Sequence, residues 1–564
     1  MKRMFAIAVS AMFTAAVNAA APVISLSTSQ PTIPGTSVAS LAIGKSSPYA
    51  VSTVISDPTD PLQTSGVYVN ITNSPTSFSF TSDNSSVVAV ANCKCELVSG
   101  TTYKVTIVPS GVGYATVGLT ASNGSNSSEF QFNVAASAAS AHPANTVFPT
   151  TIADASAAAP VGTDYMLIAD DEANLLRLFY RNRSGQAIKT FDVTSGAGGA
   201  DGEEFDIEGA SASVKYNAGN RLYWITSLGN NKSGKLKPYR NRLFATDVTG
   251  TGADLTVTVK SYSTKMRDAL IAWGDGCGWD FTASAKKGVE PKNINGFNVE
   301  GLAVAYGGEV AYVGFRAPYV PLKNVTPTSS NRIYAVAAPV TNLETMLNVN
   351  GESSIAPTFG EPVLFDFGGL GIRSMERIGT AGFVIVAGSY ASGGTPGLYL
   401  WNGNVPENSG SNPLTTASED LVKMDADLTG LVGGTEGHPE ALLAEQDGKT
   451  LYVHLICDNG SVDYYGDGNE AKALDAPFMK FRMDTYVYNI PDEYVFPTAT
   501  LEAVEKISIA VAGREISAGE GNSISVYDVS GKLVVKGLDK VIVPESGVYA
   551  VSVNNGRAQK IMIK

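Results

Sequence analysis

The sequence predicts an all-β chain: an N-terminal sandwich, a ring of β-blades and a small C-terminal sandwich. Three observations carry that expectation. Short runs of alternating, aromatic or β-branched residues recur along the chain, each bounded by Gly, Pro, Asn or Ser. Helical periodicity is confined to brief pieces, residues 264–273 and 341–347. A motif of an acidic strand start, a turn and a second apolar strand returns through the middle of the chain. At 564 residues the chain is too long for one ordinary domain.

Composition narrows the function. Forty Lys and Arg stand against 53 Asp and Glu, a formal net charge of −13. An acidic chain without basic runs argues against nucleic acid and anionic membrane surfaces as partners. Hydrophobic residues, at 44%, suffice for packed cores, and three histidines argue against a multi-histidine metal enzyme.

Residues 1–20 read as a secretory leader. Lys2 and Arg3 precede an apolar run over residues 4–17, and Ala19, Ala20 and Ala21 supply the small residues of a cleavage site. No later stretch has the length of a membrane span, so the mature chain is expected to have no transmembrane helix. Export through the periplasm permits disulfides among the four cysteines. Cys93 and Cys95 share a face of one strand, whereas Cys277 and Cys457 are distant and could pair across a fold. Three connectivities are open.

Residues 22–137 are poor in charge and rich in Ser, Thr, Val and Asn. Their short runs predict about seven strands, among them 37–43, 66–72, 77–82, 86–92, 103–110, 114–122 and 129–136. The stretch from Gly111 to Val117, followed by Asn123-Gly124, resembles bacterial immunoglobulin-like modules in broad architecture. Residues 135–143, small and Pro-ended, read as a linker.

Residues 146–490 carry the internal repeat. Asp206-Ile207-Glu208-Gly209, Asn298-Val299-Glu300-Gly301, Ser374-Met375-Glu376-Arg377 and His438-Pro439-Glu440-Ala441 each precede a turn and an apolar strand. At roughly 45–50 residues per four-stranded unit, the segment predicts a β-propeller of about six or seven blades, or five if the insertions are long. A strand at 477–482 would close the ring near Phe148.

Residues 503–564 form a distinct tail. Ser523 to Val534, Ser546 to Val553 and the basic-apolar end Lys560-Ile561-Met562-Ile563-Lys564 resemble the C-terminal sorting domain of the type IX secretion system of Bacteroidetes. That resemblance implies the secretion machinery as a partner, and release or display at the outer-membrane surface. The middle segment resembles the domain of unknown function 3616 family, through Ala169-Asp170-Asp171-Glu172, Phe205 to Ala210, Tyr223 to Ser227, Arg242 to Thr246, Val299 to Leu302, Gly314 to Pro318 and Ser374 to Arg377. No activity comes with that family.

The candidate chemistry lies in the repeated acids. First strands of propeller blades line the central channel, so Glu208, Glu300, Glu376 and Glu440 are expected to converge there. Like charges brought together need a counter-charge. Ca²⁺, with Asp170 and Asp171 at the channel mouth as further ligands, would supply it, and so would Arg316, Arg373 or Arg377. Arg316, Arg373, Arg240 and His454 are the candidate ligand-binding residues. His438 and His454 near Glu436 and Glu440 could act as acid or base. The acidic loop from Asp458 to Glu470 lacks EF-hand spacing. The expected function is a secreted or surface-displayed binding protein for an extracellular ligand, a glycan or an anionic small molecule. A metal-assisted esterase acting on phosphoesters and a surface adhesin are the alternatives, so whether the chain is an enzyme stays open.

Overall fold

A computed structural model describes residues 20–27, 49–55, 62, 66–138, 145–495, 510–518, 523–528, 533–553 and 559–563. Residues 125, 183, 251, 309, 392, 427, 429–436, 465–467, 475 and 477 are excepted. The leader up to residue 19, the expected strand at 37–43, linker residues 139–144, Glu436 and the tail turns at 529–532 and 554–557 lie outside the described residues. The chain divides into two compact units, residues 1–496 and 497–564.

The first unit begins with a sandwich of two four-stranded sheets. One sheet orders Val23–Leu26, Val67–Thr72, Thr102–Ile107 and Cys93–Ser99; the other orders Tyr49–Ile55, Ser127–Ala138, Gly113–Ser122 and Ser77–Ser82. Alternation sets the inner faces: in Val67–Thr72 every second side chain is buried, with Val69 and Ile71 in the core. The run at 86–92 forms no strand. Val87 and Val88 are buried, and a short 3-10 turn over Val90–Asn92 leads into Cys93–Ser99. The expected linker begins later than residue 135, because the strand continues to Ala138.

Five sheets follow, and their first strands stand side by side in a closed ring. These inner strands are Ala155–Val161, Ile207–Ala212, Asn298–Val304, Gly371–Ile378 and His438–Asp447. The propeller therefore has five blades. The higher expectation fails because insertions use up length: helices Met266–Gly276 and Phe281–Ser284 lie between blades 2 and 3, and Leu343–Met346 interrupts blade 3. The second strands, Tyr165–Asp170, Arg221–Thr226, Ala311–Ala317 and Gly382–Gly388, are buried on both faces by neighbouring blades. They accordingly read as continuous apolar runs rather than alternating ones, which separates ring from sandwich in the sequence.

Blade 5 is completed by the N-terminal end of the ring. Met483–Asn489 pairs antiparallel with Asn145–Val147, and Thr146 Oγ1 donates to Asp484 Oδ1 at 2.8 Å, 338 residues away. The closing strand lies just beyond the expected 477–482. Lys480 still sits over the Phe148 ring, 5.1 Å from its centroid.

All four cysteines are free thiols. Cys277 ends the inserted helix and Cys457 lies in blade 5, and none of the three open connectivities is formed. The second unit pairs a three-stranded sheet, Ala510–Ala512, Glu515–Ser517 and Lys540–Ile542, with a four-stranded one. The latter orders Leu533–Leu538, Ser523–Tyr527, Gly547–Val553 and Gln559–Ile563, around Ile516, Ile524, Val526 and Val551. No helix among the described residues is long and apolar enough to cross a membrane.

Candidate functional site

Each inner strand slips register by one residue near its start. The slips fall between Ala155 and Ala157, Ile207 and Gly209, Val299 and Gly301, Ile372 and Ser374, and Pro439 and Ala441. The skipped residues are Ser156, Glu208, Glu300, Arg373 and Glu440, and all five are buried. A bulge re-aims its side chain out of the alternating pattern, so the repeat delivers one polar group per blade. The residue after each bulge is small: Ala157, Gly209, Gly301, Ser374 or Ala441. Tight packing of neighbouring inner strands requires this at Gly209, where a Cβ would stand 3.0 Å from the Glu300 carbonyl oxygen.

Glu376 is therefore not the fourth member of the glutamate set. It lies three residues further along its strand, opposite Val384, with Arg377 and Arg181 as its nearest cations. Burial outweighs those cations and pushes its carboxyl up to about 8. Arg373 takes the blade 4 position, and it locks half the ring. Its Nε lies 2.9 Å from Glu300 Oε2, and its Nη2 pairs with Glu440 Oε1. Arg316 Nη1 donates to Glu300 Oε1 at 2.8 Å, as does Asn298 Nδ2 at 2.9 Å. Burial alone would raise Glu440, but Arg373, Arg316 and Lys292 outweigh it and hold the carboxyl below its usual range. Arg316 also donates from Nε to the Tyr390 carbonyl at 3.1 Å, which fixes a blade 4 loop.

The other half of the ring mouth is a cup of about 450 Å³. Blades 1, 2 and 5 line it with Asp154, Asp171, Asp206, Glu208 and Asp458. Asp206 takes a left-handed backbone conformation, φ 64°, just before the blade 2 bulge. Aspartate tolerates that conformation better than most residues. Arg240 Nη1 reaches Asp206 Oδ2 at 2.6 Å, and its Nη2 pairs with Glu204. Glu208, 8% exposed, forms no hydrogen bond or ion pair with any described residue. Asp171 Oδ1 is closed off and equally without a hydrogen-bond partner.

Burial and mutual repulsion set the protonation of this cup. Burial, reinforced by Asp206, Glu300 and Glu440, holds Glu208 well above the usual carboxylate range. The same burial raises Asp171, with Asp458 and Asp206 adding to it. Burial pushes Asp458 up to about 7, with Glu440 contributing, and lifts Asp206 to about 6 against the pull of Arg240. Asp154 rises to about 6 for the same reason. Several carboxyls therefore keep protons near neutrality, and a positive group entering the cup would release them. Among the described residues, no three His, Cys, Asp or Glu side chains come together closely enough to hold a metal ion.

A smaller annex of about 70 Å³ opens beside the cup. Lys292, Arg316, Arg373 and His438 line it, together with the blade 4 turn around Gly388, Ser389, Gly393 and Gly394. Arg316, Lys292, His438, Glu440 and Asp458 belong to both spaces. Burial lowers His438 despite Glu440 nearby.

The remaining expected site residues lie apart. Asp170 turns away from the cup: its Oδ2 takes Arg177 Nη1 at 2.9 Å and its Oδ1 caps the Glu172 amide. His454 shares a hydrogen bond of 2.9 Å with Thr485 and is held at about 4 by burial, with Arg181 adding to the shift. It lines neither space. Asp154, Asp206, Asp458 and Lys292 join the site although sequence reasoning did not select them. Asp458 ends the second strand of blade 5 and the other three lie outside the named strands, and only ring closure brings them together. Asp206 carried one usable signal, its place two residues before Glu208 in the repeat.

No protein-family model matches the chain, and no curated protein matches it. Solved structures resemble it remotely. A DUF4623 family protein from Bacteroides eggerthii is 9% identical over 88% of each chain, with a TM-score of 0.27. A putative phosphatase from Bacteroides thetaiotaomicron is 10% identical over 75% of this chain and 94% of its own, with a TM-score of 0.27. Virginiamycin B lyase from Staphylococcus aureus is 8% identical over 82% and 98%, with a TM-score of 0.22. Likenesses at this level carry nothing about what this chain binds.

Proposed function

We propose that the chain is a secreted or surface-displayed binding protein whose propeller cup receives the positively charged group of a ligand. Glu208 is the observation that carries this reading. A buried carboxyl facing a cavity without a partner is costly, and a cation in the cup offsets that cost. Asp171 Oδ1 stands in the same condition. The leader motif, the tail resembling type IX sorting domains and an acidic chain without basic runs support export and a non-nucleic-acid ligand. The positive group is either Ca²⁺, for which carboxylate oxygens are suited, or an organic ammonium.

Titration calorimetry at pH 8 with Ca²⁺ in one arm and alkylamines in the other separates these two sources. Binding that disappears in Glu208→Gln supports the reading. Absence of heat and of any melting shift with both probes sinks it.

Lys292 and His438 on the shared wall favour a second reading, a cation-assisted hydrolase acting on an anionic ester. Turnover of a phosphoester panel that stops on chelation would select it over simple binding.

A further inference from the structure

The cup and its annex share a wall and differ in which groups they leave without partners. Acids without partners, Glu208 and Asp171, stand in the cup. The annex gathers Lys292 and His438, with a glycine turn whose Gly393 and Gly394 take left-handed φ values of 94° and 84°. The charges of Arg316 and Arg373 are engaged by Glu300 and Glu440. Lys292, which acts on Glu440 and Asp458 only through its field, is the cation on the shared wall left without an ion pair. It is exposed, and no ion pair engages it among the described residues.

Its placement is built. Lys292 rides on a tight loop in which the Gly296 amide donates to the Asn293 carbonyl at 2.8 Å. A Cβ on Gly296 would stand 2.3 Å from the Pro291 carbonyl oxygen, so this fold of the loop admits only glycine there. The cup alone, at about 450 Å³, has the volume of a small organic molecule rather than of a bare ion.

We propose that the ligand is an amphoteric small molecule. Its ammonium group lies against Glu208 and Asp171, and its carboxylate or phosphate enters the annex against Lys292, with the His438 ring as a hydrogen-bond partner. This rests on the reading of the cup as a cation-group site and adds the second pole. A purely cationic ligand leaves Lys292 without an anion of its own; a purely anionic one leaves Glu208 and Asp171 without a cation, although Lys232, Lys237, Arg240 and Lys472 also line the cup. A molecule carrying both charges in order satisfies the two spaces together.

The test uses the full chain and matched probes in titration calorimetry at pH 8. One series is butylamine, butyrate and 4-aminobutyrate; the other is ethanolamine, inorganic phosphate and phosphoethanolamine. At least one amphoteric probe is expected to bind tenfold or more tightly than its parent amine. Lys292→Met, a change at an exposed position, is expected to erase that advantage, and Glu208→Gln to abolish binding of the amphoteric probe. The two series tell a carboxylate-bearing ligand from a phosphate-bearing one. Amines that bind as tightly as both amphoteric probes overturn the inference and leave the cation-group reading standing. Advantage retained in Lys292→Met also overturns it. If no amine and no amphoteric probe binds, this inference falls, and the cation-group reading falls with it only if Ca²⁺ does not bind either.

Discussion

Glu208 and Glu300 hold the same place on adjacent blades, yet one is open and the other locked. Both are bulged residues, both are followed by glycine and both are buried. Glu300 pairs with Arg316, Arg373 and Asn298, whereas Glu208 pairs with no described residue and feels Arg240 and Arg373 only at a distance. The repeat decides where a side chain points, and the neighbours decide what it is for. On the blade 3 and 4 side the ring spends its acids on holding itself together. At Glu208 and Asp171, on the blade 1 and 2 side, it leaves them without ion pairs.

The strongest way to break this contrast is to remove the lock. Arg373→Met leaves Glu300 and Glu440 buried with one counter-ion fewer. The expected loss is about 3–5 kcal/mol in urea unfolding, the scale for breaking one partner of a buried pair. Glu208→Gln at pH 8 is expected to do the opposite and raise the midpoint, because it replaces a buried carboxyl without a partner by a neutral amide of the same shape. A destabilised Glu208→Gln would show that both halves are structural.

The pH dependence sharpens the contrast next. Asp154 and Asp206 at about 6, and Asp458 at about 7, all lie above their unfolded range near 4. Between about pH 4 and 7 the folded chain then holds more protons than the unfolded one, so this contribution to stability falls as pH rises. For Asp458 alone the change is about 2–4 kcal/mol. Asp458→Asn should flatten the slope of unfolding free energy against pH, and an unchanged slope would count against the cup's electrostatics.

A smaller effect is expected from Gly296→Ala. Its Cβ meets backbone at Pro291, so the loop must shift, at about 1–2 kcal/mol, and Lys292 moves with it. Thermal unfolding gives the stability change, and amide spectra should place the disturbance at residues 290–296. Smallest is Lys472→Met, which breaks the exposed pair with Glu172 at the rim. Less than about 1 kcal/mol should be lost in urea unfolding.

The sequence carried the architecture further than the site. Continuous apolar second strands and alternating sandwich strands are written locally, so ring and sandwich were both legible. Three of the five bulge residues, Glu208, Glu300 and Glu440, were found because glutamate before a small residue at a strand start is a local pattern. Arg373 was named as a counter-charge but not as the blade 4 member of the repeat, because a look-alike, Glu376, sits three residues away, and pattern alone does not say where a ladder slips. Adjacent Asp170 and Asp171 looked equivalent, but consecutive residues at a strand end face different surroundings. Asp458 and Lys292 approach the cup only through tertiary structure, which no local window contains.

The pairing of Asn145–Val147 with Met483–Asn489 has a consequence for how the molecule is made. The last blade borrows its outermost strand from the beginning of the ring, so the hydrogen-bonded clasp of blade 5 forms only once residue 489 has left the ribosome. Asp154 and Asp458, which face each other across a bridge, belong to the two chain segments that this clasp holds together.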